Sequence, residues 1–80
     1  MPSEEKTIIN RVVENFARTG TVGDEKVKVT HLPAGKTSYV EYIGQDGRSI
    51  MLDEYHVDGK TIWAGYSSRS ETVYFSLPRA

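Results

Sequence analysis

The sequence predicts an α+β domain, an N-terminal helix packed on a five-stranded antiparallel meander sheet. Three observations carry this expectation. An apolar stripe of helical period runs through residues 3–19. Five later segments, at about 25–32, 37–43, 48–57, 60–66 and 71–77, have strand length and strand-like patterning. Two Asp-Gly pairs, Asp46-Gly47 and Asp58-Gly59, stand between such segments and supply the positive φ that tight hairpins need. Short connections make successive strands antiparallel neighbours. A small half-open β-barrel, with the helix plugging one end, is the alternative arrangement.

The helix is expected over residues 3–19. Ser3 is a good N-cap, and Glu4 and Glu5 occupy the first turn, where the helix dipole favours acids. Ile8, Ile9, Val12, Val13, Phe16 and Ala17 fall on one stripe at about 100° per residue, with Arg11, Glu14 and Arg18 on the other side. Gly20 follows as the C′ residue. The mixed signs of the polar face argue against a membrane-surface helix.

The first strand alternates, with Val27, Val29 and His31 on one face and Lys26, Lys28 and Thr30 on the other. The Pro33-Ala34-Gly35-Lys36 turn leads to 37–43, where Ser38, Val40 and Tyr42 oppose Tyr39, Glu41 and Ile43. Both of those faces carry apolar residues, as do both faces of 48–57, where a bulge near Asp53-Glu54 is one way to switch phase. Asp58-Gly59 forms a two-residue hairpin turn into Thr61–Tyr66, the expected central strand, with the single Trp and a mid-strand Gly65. The core face is expected to include Val27, Val29, Ile62, Ala64, Val73 and Phe75.

Residues 1–80 read as one domain, whose folding buries about 60% of the unfolded surface. That leaves little chain for a deep cleft and lowers the expectation of an enzyme. The net charge of −1 lacks the basic excess of a nucleic-acid binder. With no cysteine, disulfides, thiol catalysis and cysteine-based zinc sites are excluded. No signal-peptide core or membrane-spanning stretch is present, and a cytoplasmic location is expected.

If the core face meets the helix, Trp63 and Tyr74 face away on adjacent strands. Tyr55 or His56, and one of Tyr39 and Tyr42, are expected to join them. Arg48, Lys60 and Arg69 fringe this aromatic face. The competing arrangement is strong strand curvature, with the aromatics filling a second small core. Residues 72–77 carry no charge, so this last strand is either an unprotected edge that meets another chain or the partner of the first strand in a closed barrel.

Chemistry-bearing patterns are sparse. Asp53-Glu54-Tyr55-His56 has the letters of a helicase DExH box, but no phosphate-binding loop precedes it. Glu54 and His56 share a strand face and would make a metal set with His31, and Glu41 and Glu54 are the candidate acid–base pair. Neither is fixed by a recognisable pocket. The expectation is a non-catalytic protein-binding module or small accessory regulator, without cofactor. It would act on another protein or a second copy of itself through the aromatic face or the C-terminal edge strand. Trp63, Tyr74 and Tyr55 are its expected anchors, with Arg48, Lys60 and Arg69 as rim contacts. Single-stranded nucleic-acid binding by stacking on the same aromatics is the second reading. A small metal protein or enzyme is the third.

Overall fold

The computed structural model describes residues 4–22 and 26–80. Helix α1 spans Glu4–Thr19, followed by β1 (Lys28–His31), β2 (Ser38–Ile43), β3 (Asp46–Met51), β4 (Asp53–Val57), β5 (Lys60–Ser67) and β6 (Thr72–Ser76). The expected Ser3 cap and the start of the first strand at residue 25 lie outside the described residues.

The apolar stripe of α1 meets one face of a four-stranded sheet of order β1-β6-β5-β4. Ile9, Val13 and Ala17 pack on Ile62, Ala64 and Phe75, with Phe16, Val29, Tyr55, Val57 and Tyr66 around them. The expected core face is therefore present, with Val73 fully buried and Val27 half-buried ahead of β1. Phe75 forms a three-ring cluster with Phe16 and His31. Phe16 lies at 4.8 Å, and His31 is stacked on Phe75 at 4.4 Å and 18°. The helix stops where Gly20, at φ 73°, donates its N–H to the Phe16 carbonyl (2.8 Å). Lys60 Nζ donates to the Ala17 carbonyl at 2.6 Å and complements the helix C-terminus.

The sheet is mixed, which corrects the antiparallel meander. β4–β5 and β5–β6 are antiparallel, but β1 pairs parallel with β6, Lys28 opposite Thr72 and His31 opposite Phe75. The Pro33-Ala34-Gly35 segment does not fold β2 back onto β1. Its donors follow β6 instead: Leu32 N–H goes to Phe75 O (2.7 Å) and Gly35 N–H to Leu77 O (2.8 Å). The C-terminal strand is thus an interior strand buried along its whole length, not an edge. It does meet the first strand, but β1 and β4 remain the two edges and no barrel closes.

The segment expected as one strand over 48–57 is two strands in two sheets. β2 and β3 form a separate antiparallel hairpin, and the chain turns a corner at Leu52 before β4 joins the main sheet. Leu52 anchors that corner by donating its N–H to Thr37 O (3.0 Å) and by burying its side chain. Alternation continues through the corner without a phase-switching bulge: Ile50 and Leu52 point into the layer below the hairpin, and Glu54 lies opposite Trp63. The hairpin turn is Gly44-Gln45, because Ile43 pairs with Asp46. Gly44 carries the positive φ (62°), and Asp46-Gly47 belongs to β3. Asp58-Gly59 is the expected turn, with φ of 51° and 73°.

The β2–β3 hairpin covers the sheet face opposite the helix, giving three layers. Leu32, Leu52 and Tyr74 form a second core there, with Ile50 and Trp63 against it. Close approach of the corner depends on Gly65: a Cβ at this position would lie 2.6 Å from Met51 O and 2.8 Å from Leu52 Cδ2.

The β5–β6 turn leaves Glu71 exposed at φ 52°, a left-handed conformation that costs a non-glycine residue about 1–2 kcal/mol. Glu71→Gly should raise the urea midpoint, by about 1 kcal/mol or less once the freer unfolded chain is counted. A lowered midpoint would show that the Glu71 side chain holds the turn.

Candidate functional site

Alternation along β2 splits its residues between two environments. Tyr39 and Glu41 point down onto the main sheet, whereas Ser38, Val40 and Tyr42 point outward. On β3 the outward partners are Met51, Ser49 and Gly47. The Tyr42 ring lies over Gly47, where a Cβ would come within 2.6 Å of its Cε1. The outward face therefore reads Ser38, Val40, Tyr42, Gly47, Ser49 and Met51, without a charge. Tyr42 is 69% exposed, Met51 68% and Val40 48%.

The inward face is fixed by polar groups. Glu41 is 4% exposed although it is ionisable. Ser67 Oγ donates to its Oε1 at 2.5 Å, and Ser70 Oγ donates to Oε2 at 2.7 Å, as does the Tyr74 hydroxyl. Arg69 Nη2 donates to the Glu41 carbonyl at 2.9 Å and lies 3.5 Å from Oε1, while its Nη1 donates to Asp46 Oδ2 at 2.8 Å. The Ser67 and Tyr74 hydroxyls, then Ser70 and the Arg69 guanidinium, hold the Glu41 carboxyl at about 2 against the opposing effect of burial. Burial, and donation to this carboxylate, push the Tyr74 phenol up. The cluster is a clamp between hairpin and sheet, with its carboxylate oxygens taken by protein donors. Tyr39 adds a ring stacked on Tyr74 at 4.5 Å.

The expected aromatic face is covered by this hairpin. Tyr74 is 7% exposed and Trp63 half-buried, so the second-core arrangement is the one adopted. Trp63 and Tyr74 sit diagonally, since Trp63 faces Ser76 and Gly65 faces Tyr74. Tyr39 joins them, whereas Tyr55 lies on the helix side of the sheet. The three expected rim cations separate: Arg69 is drawn into the Glu41 clamp, Lys60 caps α1, and Arg48 stays exposed on β3, 3.7 Å from Asp46.

The metal set does not assemble. Glu54 Oε1 and His56 Nε2 lie 2.9 Å apart on β4, but His31 is on the opposite edge strand and stacks on the helix-side face. Three strand spacings of about 4.8 Å separate those edges. Glu41 and Glu54 are likewise apart, one in the clamp and the other bound to His56.

Sequence reasoning passed over Val40 and Met51, and named Tyr42 only as an alternative to Tyr39 on the Trp63 face. The available signal was the apolar content of both faces of β2, which one buried face does not require. Among the described residues, no helix is long and apolar enough to cross a membrane. No protein-family model matches this chain, and no curated protein or solved structure matches it.

Proposed function

We propose that this chain is a non-catalytic protein-binding module, of the kind used as a small accessory regulator, and that it docks through the outward face of the β2–β3 hairpin. One observation carries the reading. Among the described residues the large exposed apolar side chains all belong to this one hairpin, and three of them, Val40, Tyr42 and Met51, stand on its outward, uncharged face, while Tyr39 and Ile43 share the parity of Glu41 on the other face. Exposed apolar side chains gathered on one face of a small domain mark a contact surface. Tyr42 supplies an aromatic anchor of the type that dominates hot spots, and Met51 an adaptable one. The non-catalytic character rests on Glu41, the buried carboxylate, whose oxygens are occupied by Ser67, Ser70 and Tyr74. We favour this reading over stacking of single-stranded nucleic acid, because Tyr74, one of the expected stacking rings, lies beneath the hairpin.

The test compares wild type with the double variant Tyr42→Asp, Met51→Asp, each immobilised and offered extract from its own cells at low and high salt. The substitutions fall on exposed side chains, so circular dichroism should be unchanged. Proteins retained by wild type at both salt levels and lost by the double variant are the expected result. Equal capture by both forms would reject the hairpin face. Captured nucleic acid that leaves steeply with salt would reject the protein-binding reading.

A further inference from the structure

We propose that the open edge of β2 pairs antiparallel with β2 of a second copy of this chain, joining two hairpins into one four-stranded ribbon. The inference goes beyond that reading: it concerns the free edge of the hairpin and leaves its outward face open. Among the described residues β2 has a single strand neighbour, β3. The Gly44-Gln45 turn makes Ile43 and Asp46 a hydrogen-bonded pair. Alternation along the ladder then turns the N–H and C=O groups of Val40 and Tyr42 away from β3, toward the free edge. β3 is differently placed, since β5 backs it at the corner, where Gly65 lies against Met51 O.

Charge separates this edge from the others. The main-sheet edges carry Lys28 on β1 and Asp53 and Glu54 on β4, the charged side chains that ordinarily block edge-to-edge pairing. β2 holds one charge, Glu41, and it is turned inward and consumed by the clamp. Nothing on its free edge repels another strand. The outward face is also uncharged, so a second copy brings no like charges together on it. A two-fold axis at Val40 sets Ser38 against Tyr42 of the second copy. It also places Lys36 beside the second copy's Gly44-Gln45 turn, where Asp46 begins β3. An axis at Glu41 would oppose two carboxylates and is disfavoured.

The test is mass by light scattering over a concentration series. Wild type should reach twice 9.0 kDa, and Val40→Lys should stay at 9.0 kDa with unchanged far-ultraviolet circular dichroism. The chain has no cysteine, so Val40→Cys reports one site. It should oxidise to an interchain disulfide, the Cα separation of about 5.5 Å for a hydrogen-bonded pair being within disulfide range, while Lys28→Cys on β1 should not. A wild-type monomer at every concentration would overturn self-pairing. The hairpin would then still be judged independently by the protein capture of the Tyr42→Asp, Met51→Asp variant. A dimer that survives Val40→Lys, or that crosslinks at Lys28→Cys in preference, would also overturn it by placing the interface elsewhere.

Discussion

Replacing Glu41 by Ala is expected to cost about 3–5 kcal/mol, the range for breaking a buried charge pair by removing one partner. A small domain has about 5–15 kcal/mol in total, so the loss is severe. The guanidinium of Arg69, 17% exposed, would keep Asp46 but lose the Glu41 carboxylate, and the hydroxyls of Ser67, Ser70 and Tyr74 would lose their shared acceptor. Glu41→Gln keeps the shape and one acceptor oxygen and should cost less, about 1–3 kcal/mol. The same clamp sets an acid limit. The folded carboxyl titrates at about 2 and the unfolded one near 4.5. Its contribution is therefore complete above the unfolded value and is lost as pH falls through the folded one. Urea midpoints for wild type and Glu41→Gln should converge between pH 4.5 and pH 2. Parallel midpoints over that interval would mean that the carboxylate is not held by the clamp.

Gly65→Ala should destabilise by about 2–3 kcal/mol, more than the strand propensity of alanine returns. The added methyl would stand 2.6 Å from Met51 O, a backbone atom at the corner where the chain passes from one sheet to the other. Retreat is difficult on either side. β5 is paired to both β4 and β6, and the corner is tied by the Leu52 N–H to Thr37 O bond. The strain should lift the hairpin from the sheet, weakening the Tyr39–Tyr74 stack before the helix-side core is affected. Near-ultraviolet circular dichroism should change while the far-ultraviolet signal of α1 persists below the unfolding transition. An unperturbed or stabilised variant would show that the corner has room to move.

Local pattern carried the readable part of this fold. Ile9, Val12, Val13 and Ala17 repeat with the helical period, and Ile62, Ala64, Val73 and Phe75 with the strand period, and both sets face the first core. The turn at Asp58-Gly59 is encoded by two adjacent residues. What stayed hidden depends on distant partners. Segment 48–57 looked ambiguous because it serves two sheets, and its break at Leu52 is defined by Thr37 and Gly65, not by its own neighbours. Glu41 reads as an ordinary polar strand residue until Ser67, Ser70 and Tyr74 are brought over it. Gly65 was legible as a mid-strand glycine, and what lies against it is the chain's own backbone at Met51. The aromatic face was legible as a set of residues, but its cover was not. The exposed large side chains consequently lie one layer outward, at Tyr42 and Met51 instead of Trp63 and Tyr74.

Joining β1 to β6 in parallel sets the order in which this molecule can assemble. The two-residue loops at Gly44-Gln45 and Asp58-Gly59 allow each hairpin to form by local search, on the microsecond scale. The turn between β5 and β6 is also local and brings Phe75 beside Ala64, so the buried part of the helix-side layer needs α1, β5 and β6 but no residue of β1. The parallel ladder is different: it joins Lys28 to Thr72, and its loop closure costs entropy that only the packing it completes, such as His31 on Phe75, can offset. The first strand is therefore expected to join the sheet late, after the local hairpins have formed.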